Sequence, residues 1–148
     1  MNDRYLFRGK RIVNGNWEIG SLEIAPDNTS YIINYKSESP CEYIYHPHRF
    51  TVRTDAVGQC TGLKDKYGKL IFEGDIMLYA PEVYPEPFEV LWEDGGWWWG
   101  AAENGMPVCD ITDNAGYNAE TRGRDELRGE IIGNIHDNPE LLKGGGSE

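Results

Sequence analysis

His46-Pro47-His48 is the nearest approach to a metal pair in the sequence, because on a β-strand the two imidazoles would project from one face. No third ligand lies nearby: Cys41 and Glu42 would serve only if the chain folded back, and Pro47 reads as a strand end. Surface or capping histidines are the expectation, with no metal bound. Two carboxylate pairs, Glu93 with Asp94 and Asp110 with Asp113, offer the hard oxygens that Mg2+ and Ca2+ prefer. Neither has the spacing of a Ca2+ loop, and adjacent acids in Gly-rich turns are usually solvated. There is no Gly-rich phosphate loop, no Gly-x-Ser-x-Gly and no Cys/His pairing, so no catalytic residue is assigned and no cofactor is expected.

Aromatic residues carry more information. In a strand, Trp97 and Trp99 face one way and Trp98 the other, so the three cannot share a single one-sided core. Either Trp98 packs beneath the proline stretch or the N-terminal hairpin, or it joins Trp92, Trp97, Trp99 and Tyr84 in an aromatic platform for a proline-rich or other extended ligand. A subunit interface is the third destination, which would make the chain a homo-oligomer.

The chain has 148 residues, with 14 Lys and Arg against 25 Asp and Glu, a formal charge of −11. That length buries one sizeable core or two small ones. The acidity opposes contact with a phosphate backbone, which needs clustered Lys and Arg, so no nucleic-acid partner is expected. It is also uneven. Residues 1–74 hold ten basic and nine acidic side chains, net +1, whereas residues 75–148 hold four and sixteen, net −12. The shift falls beside Pro81-Glu82-Val83-Tyr84-Pro85-Glu86-Pro87, whose fixed φ and missing donors exclude helix and central strand. No apolar run is long enough to span a membrane. Cys41, Cys60 and Cys109 lack any Cys-x-x-Cys spacing, so reduced thiols and a cytoplasmic setting are expected.

The elements that must position these residues are almost all β. Runs Tyr5–Arg8 and Lys10–Val13 lead into Asn14-Gly15, then Asn16–Ile19 and Leu22–Ile24, predicting an N-terminal hairpin with positive φ at both turn residues. Tyr31–Tyr35, Glu42–Tyr45 and Phe50–Arg53 read as strands, as do Leu70–Phe72 and Ile76–Tyr79 beyond the polar turn at Gly68. Phe88–Trp92 alternates and Trp97–Trp99 returns, so a four-residue loop would set Trp92 opposite Trp97. Residues 100–128 read as a mobile insertion, Leu127 and Ile131-Ile132 as a last strand, and Asn138-Pro139-Glu140-Leu141-Leu142 as a short capped helix. Many short strands and barely one helix predict one or two small barrels.

The segment Gln59-Cys60-Thr61-Gly62-Leu63-Lys64-Asp65-Lys66-Tyr67-Gly68-Lys69-Leu70-Ile71-Phe72-Glu73-Gly74-Asp75-Ile76 resembles the signature of the YopX family of phage and prophage proteins. The ends agree: Tyr5–Lys10 is similar to that family's aromatic-Arg opening, and Glu130–Leu142, with Gly133, Asn134, Asn138 and Pro139, to its closing run. Cys60, Tyr67 and His136 depart from the usual residues. The resemblance implies a mainly β fold with an SH3-like barrel in the C-terminal part and an origin in a bacterial virus, and it implies no activity. Physics accounts for the signature without chemistry: Gly62, Gly68, Gly74 and Gly133 suit turns or close approaches, Leu63 and Ile71 a barrel interior, and Asp75 an Asx turn.

The resulting expectation is an N-terminal β region over 1–57, an SH3-like barrel over 58–142 with an insertion near 100–128, and a flexible tail, 143–148. Its function reads as a phage-encoded accessory protein that binds an as yet unidentified protein in the bacterial cytoplasm without turnover. Two alternatives stand beside it: an acidic DNA mimic that inhibits host defence, and a hydrolase or nuclease using carboxylates with Mg2+.

Overall fold

The computed structural model describes residues 3–36, 46–78, 86–93, 95–101, 107–110 and 129–142. The chain divides into two compact units, Met1–Cys60 and Thr61–Glu148.

In the first unit, β1 (Phe7–Arg11), β2 (Trp17–Ile24), β3 (Ser30–Lys36) and the first part of β4 (His46–Lys64) pair antiparallel in that order. β1 also pairs with β4, Phe7 opposite Gln59 and Arg11 opposite Val52, which closes the four strands into a partial ring. Closure is possible because β4 carries extra residues between those two contacts, and such a bulge bends a strand. Ile32, Val52 and Ala56 are buried in this unit. Gly20 allows β2 to approach β3: a Cβ there would lie 2.1 Å from the Ile33 carbonyl oxygen.

In the second unit, β4 runs on to pair with β5 (Leu70–Phe72). A separate antiparallel sheet has the order β10 (Glu130–Asn134), β6 (Asp75–Leu78), β7 (Phe88–Glu93), β8 (Gly96–Ala101), β9 (Pro107–Asp110). Ile71, Met77, Val90 and Trp99 form its buried centre, with Leu63, Phe88, Trp97 and Ile131 packed against it. Short 3-10 turns occur at Asp3–Tyr5 and Pro139–Leu142. No helix among the described residues is long and apolar enough to cross a membrane.

The fold is thus mainly β, and several sequence expectations need correction. Only Gly15 of the Asn14-Gly15 pair has positive φ, and Arg11 N donates to Asn16 O, so the first turn is wider than a two-residue one. Pro47 is the second residue of β4, opposite Tyr35, so the strand read from Phe50 begins earlier, at His46. β4 continues through 54–64, a stretch whose Gly58, Gly62 and polar residues hide its extended conformation. The tryptophan hairpin pairs as far as Glu93 with Gly96, leaving a two-residue loop in which Gly95 takes φ 76°. Pro107–Asp110 is a strand beside β8 inside the stretch read as an insertion. The terminal helix is four residues of 3-10. A partial ring forms in the first unit, while the described pairings of the second sheet leave it open. The strand read over 42–45, the proline stretch up to Pro85, Asp94, Asp113 and the tail lie outside the described residues.

Candidate functional site

The signature's polar residues are occupied by the backbone. Asp65, 2% exposed, accepts Tyr67 N and Lys69 N at Oδ1, both at 2.9 Å, and Ile131 N at Oδ2 at 3.2 Å. One carboxylate therefore folds the 65–69 turn and ties it to β10. Thr61 Oγ1 donates to Ile71 O and accepts from Leu63 N. Asp75, 1% exposed, accepts Phe72 N at 2.8 Å, three residues back across the β5–β6 turn, which differs from an Asx turn onto later residues. Gly74 sits in that turn at φ 88°, where a side chain would be strained, and its N–H and C=O reach Val90 O and Ile135 N.

The closing run is built in the same way. Asn134 Oδ1 accepts His136 N and Asp137 N, and Asn138 Oδ1 accepts Asn134 N at 3.3 Å. Asn138 thus uses its side chain to brace β10, with Pro139 opening the 3-10 turn. At Gly133 a Cβ would lie 2.6 Å from Asn138 Oδ1, which explains the missing side chain. Asp65 escapes sequence reading because an Asp between lysines resembles a solvated turn residue; only its burial reveals its role.

The tryptophans divide by the alternation of β7 and β8. Trp99 is 1% exposed and stacks on Phe88 at 5.4 Å. Trp97 packs against the same core and meets its cross-strand partner Trp92 edge to face at 4.9 Å. Trp92 is 50% exposed at the open end of this row. Trp98, on the opposite face across from Leu91, is half-buried, and its indole N–H donates to Glu93 O at 2.8 Å. Tyr84 lies outside the described residues. Half-burial holds the Glu89 carboxyl above the usual carboxylate range, and the Glu73 charge adds to the effect.

His46 is exposed and His48 half-buried on β4, and no group of three metal-ligating side chains occurs among the described residues. Cys60 is buried and in no disulfide.

Two antiparallel five-stranded sheets, with polar signature residues that hydrogen-bond the backbone of turns and strands, define a mainly β protein. The family model described as YopX protein matches residues 7–143, so the chain belongs to the YopX family. Among solved structures it is similar to protein EF1440 from Enterococcus faecalis, with 26% identity and a TM-score of 0.51 over 92% of this chain and 96% of that one. No protein with a curated description matches.

Proposed function

We propose that the protein is a phage- or prophage-encoded accessory protein that binds another protein in the bacterial cytoplasm without turnover. In this reading the second unit is an SH3-like barrel whose β7–β8 hairpin grips an extended segment of the partner. The observation that carries it is Trp92: half exposed, yet held by the edge-to-face contact with Trp97, it offers a large aromatic face already fixed in place. Rigid aromatic anchors of this kind dominate interface energetics because little side-chain entropy is lost on binding. The occupied Asp65, Thr61 and Asp75 support the same view, since their hydrogen-bonding capacity serves the backbone. Glu86, two residues before β7, and Glu93, at its end, are exposed and favour a partner segment with basic residues.

Affinity capture of the tagged full chain from induced host cells, with the co-purifying protein identified, tests this proposal. A partner retained by wild type and lost by Trp92→Ala, with the variant still folded and only slightly less stable, is the expected result; equal capture by both proteins would refute it.

A further inference from the structure

The outer face of the first unit carries its own set of cations and rings. A Cβ on Gly9 would meet the Val52 side chain at 2.8 Å, so Gly9 faces the interior and its neighbours Arg8 and Lys10 face outward. They stand opposite Ile19 and Trp17 on β2. Ile32 is buried, which turns Tyr31, Ile33 and Tyr35 of β3 to the same outer side, and Arg49 of β4 lies opposite Ile33. Arg8 sits over the Trp17 ring at 4.8 Å and Arg49 over the Tyr31 ring at 3.6 Å, where it also pairs with Glu23. Asn34 Nδ2 donates to Ile19 O at 3.4 Å, so the stretch of β3 next to Tyr35 adjoins Ile19. Ile19 is 45% and Tyr35 66% exposed.

Large apolar side chains that adjoin on a sheet face and are rimmed by charge differ from apolar residues scattered singly, and they mark a surface that gains by being covered. The charge around them says by what. Among the described residues from β1 to Thr51 of β4, the outward strand positions hold three cations, Arg8, Lys10 and Arg49, and one carboxylate, Glu23. The chain as a whole runs the other way, at −11. A guanidinium laid on a ring is held in place, so its in-plane N–H groups meet a carboxylate with little loss of side-chain entropy. A phosphate backbone fits less well, because the overall charge opposes it and Ile19 and Ile33 give bases no ring to stack on. We propose that the outer face of β1–β3 docks a polypeptide segment of a partner protein that carries carboxylates beside apolar side chains. This surface belongs to the first unit and prefers the opposite charge to that proposed around Trp92, so each unit takes its own segment.

The test is fluorescence anisotropy of a labelled Glu-Leu-Gly repeat peptide titrated with the full chain, with a Lys-Leu-Gly repeat peptide and single-stranded oligothymidylate as controls. Saturable binding of the Glu-Leu-Gly peptide is expected, weakened by added salt, weakened roughly tenfold in Tyr35→Ser and in Arg8→Gln, and unchanged in Trp92→Ala. The Trp92→Ala arm keeps this surface distinct from the one proposed on the second unit. No binding of the Glu-Leu-Gly peptide, equal binding of the Lys-Leu-Gly peptide, preference for oligothymidylate, or an affinity that survives both first-unit variants would each overturn the proposal, as would its loss in Trp92→Ala. Should Arg8→Gln fail to fold because its contact with Trp17 is lost, Lys10→Gln takes its place, with the same weakening expected and retained affinity again overturning the proposal.

Discussion

The Asp65 carboxylate receives the backbone N–H of Ile131, 66 positions further along the chain, at 3.2 Å while its other oxygen holds the turn that follows it. One buried side chain thereby joins the middle of the sequence to its last strand. Asp65→Ala should cost about 3 kcal/mol, because three backbone donors lose a charged acceptor. Asp65→Asn should cost less, since one oxygen can still accept. Urea unfolding of both variants measures the difference; a near-neutral Asp65→Ala would show that water satisfies those donors.

Trp99 and Trp92 should behave oppositely although they lie on the same hairpin face. Trp99→Ala removes the largest fully buried side chain and should cost about 3 to 5 kcal/mol. Trp92→Ala forfeits mainly an edge-to-face contact, about 1 kcal/mol. Trp98→Ala should fall between them, as it opens a half-buried face and a hydrogen bond to Glu93 O. Thermal unfolding of the three variants gives the order, and a Trp98→Ala more harmful than Trp99→Ala would contradict it.

Glu89 gives the stability curve a definite sign. Its carboxyl, held above the usual range by burial and by Glu73, binds its proton more tightly folded than unfolded. Its contribution is fully present below the ordinary carboxylate value and is lost as pH rises through the raised one. Glu89→Gln should therefore stabilise the protein at neutral pH relative to wild type, with the gain shrinking toward acid pH. Denaturant titrations at both pH values check this, and a gain that grows in acid would refute it.

Gly133→Ala should cost about 2 kcal/mol, because its Cβ would meet Asn138 Oδ1 at 2.6 Å and displace the brace on Asn134 N. In the double variant with Asn138→Ala the two losses should be less than additive, since the clash disappears with the amide. Fully additive losses would show that the crowding does not matter.

The hairpin register was legible because period-two alternation and the Gly-rich turn agree, which set Trp92 opposite Trp97 from sequence alone. β5, β6 and β10 were legible for the same local reason. β4 was legible only over Phe50–Arg53: closing a ring requires a bulged strand, and a bulge breaks the alternation by which strands are recognised. The depth of Asp65 and the seating of Arg49 over Tyr31 were hidden too, because burial and cross-strand neighbours are set by tertiary pairing. Trp98 illustrates the same limit: alternation placed it opposite Trp97 and Trp99, whereas its degree of exposure depends on what covers that face.

On the proposed function, labour is divided between a signature that builds the second unit and Trp92, which would recognise the partner. Tyr67 provides the sharpest comparison, because it belongs to the signature and is 74% exposed. Partner capture and thermal unfolding should be measured side by side for Trp92→Ala and Tyr67→Ala. Both should stay folded, with Trp92→Ala losing the partner and Tyr67→Ala keeping it; a folded Tyr67→Ala that loses the partner while Trp92→Ala retains it would place recognition in the signature instead.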